Sequence, residues 1–300
     1  MMKNPLLDVR HISQIFSLGA GQTIEAVHDV SFAIQAHETV GLIGESGCGK
    51  STLARILMGL YEPAAGDIYF KDMHISDHAV RKTQRRIIQR EMHMIFQDAD
   101  GALNPRMTAA DSIREGLILA GKWKNAKDGR QQIEELLRSV GLDRRYGQAC
   151  PGELSGGQRQ RVAIARCLGI APSLIIADEP IAALDVSIQA QIMNLLKDLQ
   201  EQQHFSMLFI AHDLAVVRYI SDRTAVMYGG RLVEISPTEE LFQQPLHPYT
   251  KLLLASILKP DPAYERQKRV PAFDHSLLSL KGAMTEVMPG HFVLCHAGKA

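Results

Sequence analysis

The sequence predicts an α/β fold: a largely parallel sheet interrupted by a helical insertion. Three observations lead there. Strand-like and helix-like segments alternate toward both ends of the chain. Strand signals vanish between about residues 98 and 168. The Gly-rich stretch GESGCGKST (44–52) falls between a buried-type strand and a helix.

The opening reads as strands, LLDVRHISQIF (6–16), AVHDVSFAI (26–34) and ETVGLIG (38–44). β-Branched and aromatic residues alternate with polar ones, and Gly19, Gly21 and the pair His37 and Glu38 mark the breaks. KSTLARILMGL (50–60) has Leu53, Ile56 and Leu57 at helical spacing and a stop at Gly59. GDIYFKDMHI (66–75) reads as one further strand. SIREGLILAG (112–121) and the amphipathic RQQIEELLRSVGL (130–142) are the clearest helical pieces of the insertion. Strand signals return with SLIIAD (173–178), MLFIAH (207–212) and TAVMYGGRLVEI (224–235), the last a hairpin about Gly229 and Gly230. Between the first two lies SIQAQIMNLLKDLQEQQ (187–203), with Ile188, Ile192, Leu195, Leu196 and Leu199 on one helix face. After Ser236 the chain becomes rich in Pro and His and reads as an appendage to the core.

Composition narrows the function classes. With 300 residues, 46% hydrophobic and 22% charged, the chain can bury a sizeable core. Lys plus Arg and Asp plus Glu both number 33, so no basic excess holds nucleic acid or an anionic membrane, and nucleic acid is not expected as a partner. The start lacks a charged segment leading into an apolar run, so no signal peptide is expected. No run approaches the roughly 18 apolar residues of a membrane span, so another chain must supply any spanning part. Cys48, Cys150, Cys167 and Cys295 show neither a CxxC pair nor metal-ligand spacing, which reads as free thiols in a reducing, cytoplasmic setting.

GESGCGKS matches G-x-x-x-x-G-K-[ST] in the strand-to-helix context that motif needs. Gly44, Glu45, Ser46, Gly47, Cys48 and Gly49 form a loop whose backbone N–H groups can converge on phosphate oxygens at a helix N-terminus. Lys50 can reach the β- and γ-phosphates, Ser51 can ligate Mg²⁺ and Thr52 can contact the α-phosphate. SLIIADEP delivers Asp178 to a strand end, where it can hold Mg²⁺, and Glu179 follows, placed to polarise or deprotonate an attacking water. LSGGQ, comprising Leu154, Ser155, Gly156, Gly157 and Gln158, opens a second helix, with Ser155 as N-cap, Val162, Ala165 and Leu168 on its apolar face, and Gly169 then Pro172 at its end. That helix start is a second anion site, and no lysine accompanies it as in the first. The economical reading is that Ser155 and Gly157 touch the γ-phosphate of a nucleotide held by another copy of the fold.

This combination resembles the ATP-binding cassette family over about residues 6–255, LSGGQ being the family's signature. The resemblance implies a P-loop NTPase (RecA-like) core with an antiparallel β subdomain, a helical signature-motif subdomain and a short C-terminal extension. It places an ATPase domain at 1–235, the helical subdomain at about 98–168, and an extension of oligopeptide-transporter type at 236–300. It also implies ATP as substrate with Mg²⁺. Gln97 in MIFQDADGALNPR matches the family's Q-loop, which touches Mg²⁺ and the attacking water. Asp185 in IAALD matches the D-loop used across the dimer seam, and His212 in FIAHDLAVV the switch histidine. Phe16 stands where the family stacks an aromatic on adenine. Bland alternatives exist for each: a turn residue for Gln97, a helix cap for Asp185, a structural histidine for His212 and strand packing for Phe16.

Local wording, including NPRMT after Gln97, HDLAVVRYISDRTAVMYGGRLVE and HPYT (247–250), looks like the second ATPase subunit of the oligopeptide/dipeptide/nickel import group. By resemblance the chain energises a bacterial importer from the cytoplasmic face of the inner membrane. Its partners there are a second, non-identical ATPase subunit, two permease subunits, and a periplasmic or lipid-anchored solute-binding protein. An ATPase subunit does not contact cargo. Peptide is the first expectation, and nickel or a metal chelate, glutathione, an opine or a sugar stay open. A rival of another class is a regulatory module that uses ATP only to dimerise, against which Glu179 and His212 speak. Many relatives carry a Cys-rich segment between HPYT and a terminal motif like PGHFVLCH (289–296). Only Cys295 of such a set is present, so no iron–sulfur cluster is expected.

Overall fold

The computed structural model describes residues 4–19, 22–97, 99–256 and 282–295. Gly21, the first residue of the predicted insertion (98), His296 of the terminal motif and the tail from 257 to 281 lie outside the described residues. The chain divides into two compact units, one of Met1–Ile34, Thr39–Ser76 and Ile210–Ala300, the other of Gln35–Glu38 and Asp77–Phe209.

The first unit opens with β1 (Leu7–Gly19) and β2 (Gln22–Ile34), longer than the sequence reading and antiparallel, with Leu7 opposite Ile34 and Gly19 opposite Gln22. Their alternation buries Leu7, Val9, Ile12, Val27, Val30 and Ile34. β3 (Thr39–Ile43) is buried at all five positions and runs into α1 (Lys50–Leu57), which Gly59 ends at φ 70°. The single strand read in GDIYFKDMHI is instead two, β4 (Ala65–Phe70) and β5 (Met73–His74), giving the order β2-β1-β4-β5. Lys71 and Asp72, at φ 47° and 64°, make the two-residue turn between them. Neither is Gly or Asn, which is why the turn is hidden in the sequence.

The second unit contains elements the sequence reading did not find: α2 (His78–Thr83), α3 (Arg85–Glu91) and β6 (Met92–Ile95). The two helices are short and basic and bury only Ile88, so no apolar stripe announces them. The helical insertion follows as α4 (Ala99–Ala102), α5 (Ala109–Leu119), α6 (Ala126–Ser139) and α7 (Gly156–Ile170). Thr108 caps α5 through Asp111 N, and Asn125 caps α6 through Lys127 N and Asp128 N. α5 lies tightly on α7: a Cβ on Gly116 would sit 2.5 Å from the Arg166 carbonyl oxygen. The predicted stop of α7 at Gly169 moves, since Gly169 is a buried interior residue and Ala171, at φ 56°, ends the helix ahead of Pro172. β7 (Leu174–Asp178) pairs parallel with β6, Met92 opposite Leu174 and Ile95 opposite Ala177. α8 (Val186–Gln203) buries Ile192, Leu196 and Leu199, and β8 (Ser206–Ile210) takes the other side of β7.

The chain then returns to the first unit with α9 (Leu214–Ile220), β9 (Arg223–Tyr228) and β10 (Arg231–Pro237). β9 pairs parallel with β3, Val40 opposite Arg223 and Ile43 opposite Val226, and antiparallel with β10 through the predicted Gly229 and Gly230 turn. The described tail, read in sequence as an appendage, is part of this body. After α10 (Thr238–Gln243) and α11 (Pro248–Ala255), β11 (Ala283–Met288) and β12 (His291–Cys295) form a hairpin, and β12 pairs with β10. This gives the order β11-β12-β10-β9-β3. Among the described residues no helix is long and apolar enough to cross a membrane.

Candidate functional site

β3 and β9 set the Gly-rich loop from below. A Cβ on Gly44 would lie 2.1 Å from the Met227 carbonyl oxygen, and one on Gly49 2.2 Å from that of Ala26, at φ 105°. Only glycine lets the loop pass so close to both backbones before α1 begins. Lys50, 5% exposed, turns into the loop it follows, its Nζ donating to Gly44 O (2.7 Å) and Glu45 O (2.9 Å), with Cys48 Sγ at 3.7 Å. A cation is thereby fixed against the loop, and loop amides lead into the α1 N-terminus. Burial pushes the Cys48 thiol up, opposed by Lys50, so it stays a neutral packing group. Glu45, Ser46 and Gly47 are exposed, and Ser51 and Thr52, on the first turn of α1, are half-buried.

Two further candidates belong to this unit. His212 is exposed, just past the end of β8 and before Asp213, which caps α9 through Ala215 N and Val216 N. Phe16 is half-buried on β1, and its ring meets Tyr61 edge-on at 5.3 Å and 76°. Sequence reasoning missed Tyr61, which lies in the connection between α1 and β4.

In the second unit β7 is buried at all five positions and ends at Asp178, 4% exposed. Glu179 follows in the left-handed region at φ 47°, a strained conformation for this residue type that turns its side chain away from the strand's alternation. Gln97 leaves the end of the neighbouring β6, and its Nε2 donates to Glu179 Oε2 at 3.3 Å. The two residues assigned to the attacking water thus meet. Gln97 and Asp178 in this unit, and Ser51 in the first, each carry a side-chain oxygen, the donor chemistry that a hard cation such as Mg²⁺ takes.

LSGGQ forms the start of α7 as the sequence predicts. Ser155 Oγ accepts from Gln158 N (3.3 Å) and Gln158 Oε1 accepts from Ser155 N (2.9 Å), a reciprocal capping box. Leu154 is buried, Ser155 exposed, and Gly156 and Gly157 half-buried. A Cβ on Gly157 would sit 2.7 Å from Ile188 Cγ2 of α8. Arg159, unremarked in the sequence, braces the segment from behind, its Nη1 donating to Leu154 O (2.7 Å) and Pro151 O (3.2 Å). Asp185 caps α8, accepting from Ser187 Oγ (2.7 Å) and Ile188 N (3.0 Å), and those two bonds hold its carboxyl below the usual range. The capping alternative for Asp185 is therefore realised, and its neighbour Val186 is 81% exposed.

One contact to the loop comes from far along the chain. Tyr249, the aromatic of HPYT, is fully buried and its hydroxyl accepts from Glu45 N at 3.2 Å. The HPYT wording flagged this residue, but nothing in the sequence pairs positions 45 and 249.

Comparison with known proteins bears on the family and the fold. A family described as "ABC transporter" matches residues 27–182, and one described as "Oligopeptide/dipeptide transporter, C-terminal region" matches 233–278. The oligopeptide transport ATP-binding protein OppF of Bacillus subtilis is 50% identical over 300 residues, covering 98% of this chain and 97% of that protein. The dipeptide transport ATP-binding protein DppF of Lactococcus lactis is 41% identical over 299 residues, covering 98% and 95%. Among solved structures, a dimeric ATP-binding cassette in a post-hydrolysis state, bound to ADP and Pi, has a TM-score of 0.69 at 30% identity, over 77% of this chain and 98% of that one. The chain therefore belongs to the ATP-binding cassette transporter family, in the branch that carries the oligopeptide/dipeptide transporter C-terminal region.

Proposed function

We propose that this chain is the ATP-hydrolysing subunit of a bacterial ABC importer for di- and oligopeptides. The full-length likeness to oligopeptide and dipeptide transport ATP-binding proteins carries the cargo assignment. The Gln97–Glu179 pair supports hydrolysis rather than ATP binding alone.

In this reading the loop amides, Lys50 and Thr52 hold the ATP phosphates, and Phe16 with its neighbour Tyr61 offers the adenine an aromatic surface. Ser51, Asp178 and Gln97 would hold Mg²⁺, which supplies charge neutralisation at the transferring phosphoryl group. Glu179 takes the proton of the water whose oxygen attacks the γ-phosphorus as the bond to the β-phosphate oxygen breaks. Gln97 keeps that carboxylate aimed, and His212 donates to the γ-phosphate. Ser155 and Gly157 cover the nucleotide of a second, non-identical ATPase subunit, and Asp185 works at the same seam. Two permease subunits receive the stroke near Gln97, with the chain peripheral on the cytoplasmic face of the inner membrane, and a solute-binding protein delivers the peptide. No iron–sulfur cluster takes part in this scheme.

The test is uptake of a labelled tripeptide into proteoliposomes holding the complete complex and its binding protein. ATP-dependent uptake that stops with Glu179→Gln supports the reading. Uptake of nickel or a sugar in place of peptide overturns the cargo, and tripeptide uptake undiminished by Glu179→Gln overturns the role of Glu179.

A further inference from the structure

We propose that Tyr249 is a positioning residue for the P-loop, set in place by Glu234 and His291, so that the C-terminal hairpin helps hold the nucleotide site in its binding geometry. The inference rests on the P-loop reading above.

The contacts form an unbroken series inside one unit. Tyr249 Oη takes the Glu45 N–H, and its ring packs on Tyr228 at 4.3 Å with the planes 40° apart. Tyr228 follows Met227, whose carbonyl lies under Gly44, so β9 and Tyr249 both bear on the first two residues of the loop. Tyr249 sits in the first turn of α11, where its own N–H donates to His247 Nδ1 at 3.2 Å. His247 and Leu246 are fixed in turn by Glu234 on β10, whose Oε2 accepts from His247 N (2.9 Å) and Oε1 from Leu246 N (2.8 Å).

Glu234 and His291 are both fully buried, and His291 Nε2 meets Glu234 Oε1 at 2.7 Å. A carboxylate that already accepts two backbone N–H groups can only accept from the ring, so Nε2 carries the proton. Three donors satisfy this buried acid, and one of them comes from β12. Removing Glu234 would strand two buried backbone donors and threaten the fold. Removing His291 leaves them bonded and loosens the carboxylate that places them, which makes His291 the better probe.

The experiment titrates the full chain with ATP by calorimetry and follows its thermal melting. Tyr249→Phe keeps the ring and deletes the acceptor. It should raise the ATP Kd about three- to tenfold, the range expected for one neutral hydrogen bond. His291→Ala should weaken ATP in the same direction, and His291→Gln, which keeps a donor, should restore it. Tyr249→Phe combined with His291→Ala should bind ATP no worse than Tyr249→Phe alone, because both act along one series. A lowered melting temperature with unchanged Kd in Tyr249→Phe, or additive losses in the double variant, would overturn the inference. Lys50→Ala separates the two readings. ATP affinity preserved there defeats the P-loop assignment itself, whereas ATP lost there but kept in Tyr249→Phe defeats only the role of Tyr249.

Discussion

Gln97 Nε2 lies 3.3 Å from Glu179 Oε2, tying the residue that leaves β6 to the residue that leaves β7. Because β6 and β7 are parallel neighbours, their ends emerge together, and the left-handed backbone of Glu179 turns its carboxylate toward the amide. Glu179→Gln should keep ATP affinity within about threefold and lower turnover by roughly 10² to 10⁴, the usual share of a general base. Gln97→Ala should lower turnover by about tenfold or more with affinity kept, since a carboxylate without its partner samples other rotamers. Phosphate release with the partner subunit present measures both. Normal turnover in Glu179→Gln would remove it as the base.

Lys50 and Gly49 separate charge from backbone geometry. Lys50→Ala removes the cation fixed between Gly44 O and Glu45 O and should weaken ATP at least about tenfold with little change in melting temperature. Gly49→Ala must place a Cβ 2.2 Å from a backbone oxygen at φ 105°. It should therefore lose ATP binding and melt at lower temperature. Calorimetric titration alongside thermal melting checks both, and a Gly49→Ala chain that melts like the parent would show that the loop relaxes more easily than this packing allows.

Local geometry set by nearby residues was legible in the sequence, and contacts set by distant partners were not. GESGCGKST and LSGGQ each carry their own turn and helix start within a few residues, and both fold as read, down to the capping box of Ser155 with Gln158. Asp178 was legible because SLIIA, an apolar run of strand length, leads straight into the acidic pair Asp178 and Glu179. By contrast α2 and α3 bury a single residue, Ile88, and four-residue β6 follows with no turn signal, so periodicity had nothing to register. The turn at Lys71 and Asp72 places a lysine in the left-handed region, which sequence rules do not favour there. Contacts such as Tyr249 with Glu45 and His291 with Glu234 join residues 204 and 57 positions apart, and only the folded chain brings them together.

His93 on β6 gives a pH signature for the second unit. It is half-buried, and burial together with the nearby Arg166 charge lowers its pKa from 6.5 to about 4. Between those two values the unfolded chain binds a proton that the folded chain refuses, so stability falls as pH drops from 6.5 toward 4 and levels off below. One such group contributes a slope of at most about 1.4 kcal/mol per pH unit. Thermal melting of the full chain at pH 7, 5.5 and 4.5, compared with His93→Gln, isolates this from the carboxylates. The variant should lose less stability than the parent between pH 6.5 and 4, and parallel curves would refute the assignment.

Asp185 shows how a cap and a seam residue can be told apart. Its carboxylate accepts from Ile188 N and Ser187 Oγ, which accounts for its presence without any partner subunit. Asp185→Ser keeps a good capping side chain and should melt within about 2 °C of the parent, whereas Asp185→Ala should melt roughly 1–3 °C lower. If Asp185 also works across the seam, both variants should lose turnover in the presence of the partner subunit, by about tenfold, while binding ATP normally on their own. Phosphate release measured with and without the partner decides it. Full partner-dependent turnover in Asp185→Ser would reduce Asp185 to a helix cap.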